Sequence, residues 1–259
     1  MIDAFSRIRI AVPELPEAVA AYQTLLSQTP VWQGEVISEG CHIATAWFVL
    51  ANTVLELYEA QGCEKACLTG LVLRASEDVS LPGLGKEISQ HYRNQQQSIV
   101  APIRQFSPDS SRGLDLFIEQ GELISALIES RPDQDLHKVD HVVLYTADAD
   151  ACVRLFGEEG LGIRLALDQT VLEWGGRMLF FRTGKLTLEV IAPNKGLEGN
   201  DYFWGIAYQV DDMDKVHSGL QAQGVEMSDI RKGRKPGTRV ATLKSHDLRI
   251  PTLLVEPSR

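Results

Sequence analysis

The 259-residue chain is 44% hydrophobic and 23% charged, enough apolar content to bury a core in one large domain or two small ones. Its 35 acidic against 25 basic residues give a formal charge of −10, which disfavours a polyanion such as nucleic acid as partner. No apolar run approaches the ~20 residues that span a bilayer, and MIDAFSRIRIAVPELPE lacks the basic-then-apolar order of a leader, so the expectation is a cytoplasmic protein without membrane attachment.

In chain order, SRIRIAV alternates as a strand does and runs into a helix over 14–27, where Leu15, Val19, Tyr22 and Leu26 form an apolar stripe. TVLELYEA (53–60), GLVLRASED (70–78) and LFIEQ (116–120) read as further strands, with a polar, irregular stretch over 94–112. SRPDQDLHK (130–138) reads as a linker, dividing a domain over 1–131 from one over 137–259. After it come a strand over 140–146, a helix over 148–158, and three short strands, VLEW, RMLFF and LTLEVI, separated by Gly-Gly and Thr-Gly turns. A strand over 204–210 leads into a helix from Asp212, its N-cap, to Gly224, its C-cap; strands follow near 225–231, 239–244 and 250–256. Cys41, Cys63, Cys67 and Cys152 are too few for a disulfide scaffold, and the Cys63/Cys67 pair has no second Cys or His pair at zinc-site spacing.

These elements repeat. SRIRIAVPELPEAVAAYQTLL aligns with DHVVLYTADADACVRLFGEEG, so that Arg7 matches His141 and Tyr22 matches Phe156, each pair 134 residues apart. TVLELYEA aligns with KLTLEVIAP, matching Glu56 to Glu189; GLVLRASED with GIAYQVDDM, matching Gly70 to Gly205; and LFIEQ with LLVEP, matching Glu119 to Glu256. Each half divides again, giving four β-α-β-β-β units and an α+β fold, with Glu59 competing with Glu56 as the counterpart of Glu119.

A repeated β-α-β-β-β unit with DHVVL opening one copy and LTLEV closing it resembles the vicinal oxygen chelate superfamily, which includes glyoxalases, bleomycin-resistance proteins, methylmalonyl-CoA epimerases and extradiol dioxygenases. The resemblance covers nearly the whole chain and implies two glyoxalase-like domains, each a cup built from two units, with ligands on the first and last strand of each unit. Carried onto this sequence, it implies His141, Glu189 and Glu256 as metal ligands, with Glu256 or Glu189 as proton shuttle. The fourth position falls on Gly205, and the N-terminal cup offers Arg7, whose guanidinium repels a cation, so that cup is expected to be free of metal.

One imidazole and two carboxylates could hold Zn²⁺, Mn²⁺, Fe²⁺ or Ni²⁺, and the opposite expectation, no cofactor, stands beside it. The set lacks the second histidine of a facial triad, so it suits a metal-assisted lyase or isomerase acting on a small substrate with vicinal oxygens better than a ring-cleaving dioxygenase. A metal-free small-molecule binder of the bleomycin-resistance kind is the alternative. In RKGRKPGTR (231–239), five cations surround a Pro-Gly turn that could present Arg234 or Arg239 to an acidic group, with Trp204 and Tyr208 as an aromatic wall; a solvated hairpin tip and core aromatic residues are the plainer readings. His137, His217 and His246 are weaker candidates. Pairing of units within one chain or across a homodimer is left open.

Overall fold

The computed structural model describes residues 1–259 apart from 39, 122, 123, 125, 128–137, 172, 174, 245–248 and 259. His137, His246 and nearly all of the expected linker, with the domain boundary it carries, lie outside the described residues.

The N-terminal half runs β1 (Ile2–Val12), α1 (Leu15–Leu26), β2 (Trp32–Ser38), β3 (Cys41–Val49), β4 (Val54–Glu59), β5 (Cys67–Ala75), β6 (Leu84–Arg93), β7 (Ser98–Phe106) and β8 (Asp115–Glu119). The C-terminal half runs β9 (Lys138–Tyr145), α2 (Ala149–Phe156), β10 (Arg164–Val171), β11 (Gly176–Thr183), β12 (Leu186–Pro193), β13 (Tyr202–Gln209), α3 (Met213–Ala222), β14 (Arg231–Lys232), β15 (Arg239–Leu243) and β16 (Thr252–Glu256). Three units have the expected β-α-β-β-β order. The second does not, because residues 76–83 join β5 to β6 without a helix.

Within each unit the first strand lies parallel to the last, β1 with β4, β5 with β8, β9 with β12 and β13 with β16. The first strands of paired units then meet antiparallel, β1 with β5 and β9 with β13, so both pairs of units form inside one chain. The halves differ at their edges. In the N-terminal half β2 pairs with β6 and closes an eight-stranded barrel; in the C-terminal half β10 and β14 remain as the edges of an open eight-stranded sheet. The strand expected near 225–231 shrinks to the two residues of β14 plus a bridge from Met227 to Leu243, leaving too little edge to close against β10.

One face of each sheet carries the helices. α1 begins at a Pro-containing first turn and buries Leu15, Ala18, Val19, Tyr22, Leu25 and Leu26, while Asp148 and Asp212 cap α2 and α3 through their side chains. On β12, Leu188 and Val190 enter this core and Glu189 between them takes the other face, as strand alternation requires. The helix-side residues of both halves merge into one apolar cluster. Polar contacts also join the halves: the Asn52 amide donates to the carbonyls of Val139 (2.8 Å) and Lys185 (2.9 Å), and Arg112 forks onto the buried Asp201 at 2.6 and 3.1 Å. No helix among the described residues is long and apolar enough to cross a membrane.

Candidate functional site

On the helix-free face of the C-terminal sheet, His141 of β9 and Glu189 of β12 come together, with Nε2 3.5 Å from Oε2. Val143, beyond His141 on the same face, is the register partner of Glu189, so the neighbouring parallel strands bring the two side chains within reach. On its other side the imidazole Nδ1 lies 2.8 Å from Asp140 Oδ2. Asp140 can make this contact because it is the extra residue of a bulge: Ala207 pairs with His141 and Tyr208 already pairs with Val139. Burial alone pushes the Asp140 carboxyl up, but the hydrogen bond and positive charge of His141, with Lys138 and Lys235, outweigh it and hold its pKa below the ordinary aspartate value.

Glu256 does not join them. It follows Leu254, which packs in the helix-side core, and shares that face. There its Oε1 accepts the Met213 backbone N–H at 3.1 Å, at the start of α3, and it pairs with Arg239, its register partner on β15. Glu59 does the same for α1, accepting from Leu15 N at 3.0 Å. Glu256 is therefore the counterpart of Glu59, a helix-start acceptor, and the sequence alignment that made it a metal ligand was displaced. A one-residue slip in a strand exchanges its faces. The register puts Leu253, paired with Ala207, where Glu189 pairs with Val143. Arg239 leaves the candidate site for the same reason, since it also holds Asp214 of α3 at 2.7 Å.

The remaining ligand position is closed. A β-carbon on Gly205 would lie 2.6 Å from the carbonyl oxygen of Pro251, which accepts the Ile206 N–H. Gly70 is its N-terminal counterpart, pressed in the same way onto the backbone of Asp115. Of the four positions implied by the resemblance, two bear ligand side chains, and no group of three or more His, Cys, Asp or Glu among the described residues is arranged to hold a metal ion. Among the described residues the donor set, His141 and Glu189, does not fit a resident divalent ion.

In the N-terminal barrel a guanidinium stands at the corresponding place. Arg7 is 1% exposed, donates to Glu56 at 3.1 Å and Glu119 at 2.6 Å, and also touches the Tyr92 hydroxyl. Burial opposes its charge, yet Glu119, Tyr92 and Glu56 together raise its pKa well above the ordinary arginine value. Trp32, Trp47 and Tyr92 pack beside it with ring centroids 4.7–5.6 Å apart. The barrel centre is thus occupied by its own side chains.

The open sheet carries aromatic groups instead. Tyr202, register partner of Tyr145, stacks on it at 5.6 Å and 8°, and Trp204, the extra residue of a second bulge, this one on β13, meets the same ring edge-on at 5.7 Å. The sequence marks Trp204 but neither tyrosine, because their pairing depends on the β9–β13 register. Burial, with Tyr202 and Glu189, raises the pKa of the Tyr145 hydroxyl, and the charge of Arg234 acts in the opposite sense. His217 is on α3, with Nε2 2.9 Å from the Ser228 carbonyl.

Residues 122–242 match the family model described as Glyoxalase/Bleomycin resistance protein/Dioxygenase superfamily, which places this half in the vicinal oxygen chelate superfamily. No curated protein matches the chain. Among solved structures, a mutant of 4-hydroxymandelate synthase from Streptomyces coelicolor aligns over 100% of this chain and 94% of its own, with a TM-score of 0.65 at 10% identity. A xylose isomerase-like TIM barrel/4-hydroxyphenylpyruvate dioxygenase fusion protein aligns over 99% of this chain and 49% of its own, with a TM-score of 0.60 at 13% identity. This chain therefore spans about half of that fusion. Methylmalonyl-CoA epimerase from Mycobacterium tuberculosis aligns with 47% of this chain and 88% of its own, with a TM-score of 0.38 at 21% identity. The likeness to the first two is one of fold, and a fold carries many chemistries.

Proposed function

We propose that the C-terminal open sheet binds a small organic molecule without a resident metal, His141 and Glu189 supplying its polar contacts. The observation that carries this reading is the state of the four ligand positions: His141 and Glu189 remain, Leu253 is apolar, and Gly205 has no room for a side chain. Two protein ligands leave most of a divalent ion's coordination shell to water, which favours dissociation. The imidazole is held between two carboxylates, and its Nε2 is turned toward Glu189 on the open face. Such a couple can accept or donate one proton to a bound ligand.

A second reading is the metal-assisted lyase or isomerase acting on vicinal oxygens. One observation favours it: a carboxylate on the second ring nitrogen is how metal-bound histidines are commonly oriented, and Asp140 supplies one. Equilibration of the purified protein with Zn²⁺, Mn²⁺, Fe²⁺ and Ni²⁺ in turn, followed by desalting and elemental analysis, decides between them. Substoichiometric metal that is the same in the wild type and in His141→Ala supports the metal-free reading. One equivalent of metal, lost in both His141→Ala and Glu189→Ala, overturns it.

A further inference from the structure

We propose that the ligand of the open sheet is an aromatic amine, its ring lying against Tyr145, Tyr202 and Trp204 and its ammonium group donating to Glu189. This deepens the small-molecule reading above and rests on it.

Glu189 is 8% exposed, and among the described residues its carboxylate has one ion-pair partner, the His141 imidazole, with Nε2 at 3.5 Å. That is longer than the roughly 2.7–3.2 Å of an ordinary N–H to O hydrogen bond. The register surrounds it with apolar groups. One row across the open face reads Leu167, Phe180, Glu189, Val143 and Gly205 from β10 to β13, so the carboxylate is the single polar side chain in that row. A nearly buried carboxylate short of hydrogen bonds is costly, and a donor from outside the chain relieves it.

Aromatic groups stand next to it. Tyr145 follows Val143, the register partner of Glu189, by two residues on the same face of β9, a rise of roughly 7 Å. Its ring touches those of Tyr202 and Trp204. These two and Leu167, at 43%, 45% and 44% exposure, are the only exposed large apolar side chains of the C-terminal half among the described residues. Apolar surface left in water opposes folding by roughly 25 cal/mol per Å², so their gathering on one face suits an apolar partner that covers them. Tyr145 and Tyr202 lie 8° from parallel and Trp204 stands at 68° to Tyr145, a stacked pair with a side wall that suits a flat ring better than an alkyl chain.

The count of donors and acceptors then selects the polar group. Asp140 lies 2.8 Å from Nδ1 and, being acceptor-only when ionised, keeps a ring proton on that nitrogen. The neutral imidazole therefore turns a lone pair at Nε2 toward Glu189, and two acceptors converge without a donor between them. An ammonium group gives a proton to each, a hydroxyl gives one, and a carboxylate gives none and meets Glu189 with like charge. With the ring protonated, two carboxylates still outweigh one imidazolium, and a positive ligand remains the favoured one.

The test is calorimetric titration of the full chain with 1-naphthylmethylammonium, with uncharged 1-naphthalenemethanol and with anionic 1-naphthoate. The amine is expected to bind about tenfold or more tightly than the alcohol, with naphthoate weakest. Glu189→Gln keeps the shape of the side chain and removes its charge, and should bring the amine to the level of the alcohol. Trp204→Ala, at an exposed position, should weaken both by about threefold or more. Thermal melts show that each variant is folded; should Glu189→Gln not fold, the order of the three probes on the wild type and the Trp204→Ala titration decide. Alcohol or acid binding as tightly as the amine, a folded Glu189→Gln variant that binds the amine as the wild type does, unchanged affinity in Trp204→Ala, or no binding of any probe overturns the assignment. Metal content read on the same samples separates the two claims. If the assignment fails while metal stays substoichiometric, the ligand class is wrong and the metal-free reading stands; one bound equivalent lost in His141→Ala overturns that reading instead.

Discussion

Gly205 and Pro251 are in contact across the β13–β16 junction so closely that a β-carbon on the glycine would sit 2.6 Å from the proline carbonyl oxygen and 3.1 Å from its Cβ. The parallel strands gain the Ile206 N–H to Pro251 carbonyl bond, at 3.0 Å, from that approach. Gly205→Ala should therefore push the strands apart and destabilise the fold by about 1–3 kcal/mol, the usual cost of overpacking. Chemical denaturation checks it, and Gly205→His should be worse rather than creating a third metal ligand.

Arg7 is expected to be a keystone of the N-terminal barrel. Arg7→Ala leaves Glu119 as a buried carboxylate without its cation and Glu56 with Arg9 alone, at 3.5 Å, and removal of one partner from a buried ion pair costs about 3–5 kcal/mol. Replacement of all three by apolar residues of similar volume should recover most of the loss. Melting temperatures of the single and triple variants give the comparison.

The same cluster should make the protein acid-sensitive. Burial pushes the Glu56 carboxyl up, but Arg7, Arg9 and the hydrogen bond from the Tyr92 hydroxyl hold its pKa below the ordinary glutamate value. The folded pKa is thus lower than the unfolded one. Its contribution is complete above the unfolded glutamate value and is lost as pH falls through the folded one. Denaturation curves taken at falling pH should show that loss, and Glu56→Gln should flatten it.

Glu256→Gln should leave the metal content of the C-terminal sheet unchanged. Its carboxylate lies on the helix side, at the N-terminus of α3 and against Arg239. The expected effect is a loss of about 0.3–1 kcal/mol of stability, typical of a negative charge removed from a helix start. A change in ligand affinity with no change in stability would contradict the face assigned to it.

Arg112→Ala should weaken the union of the halves. Asp201, 2% exposed at its side chain, would keep the Thr146 hydroxyl at 2.9 Å but lose both guanidinium bonds. Hydrogen bonds to charged groups are worth about 1.5–3 kcal/mol, and a loss of that size is expected in equilibrium unfolding.

By itself the sequence determined the units of this protein. Period-two alternation, the Thr183–Gly184 turn and the Asp212 cap placed strands and a helix close to where they form, because these signals act over a few neighbouring residues, whereas the strand expected at 171–174 lies earlier, at Arg164–Val171. The repeat also put Arg7 opposite His141 and Glu56 opposite Glu189, since the alignment of the halves compares strands of the same register. What local signals do not carry is the partner of a strand and the face it turns. Tertiary structure alone decided that Glu256 points to α3, that bulges bring Asp140 to His141 and Trp204 to Tyr145, and that β2 closes on β6 while β10 and β14 stay apart. Each depends on pairing between residues remote along the chain, where a shift of one position exchanges the buried face for the open one.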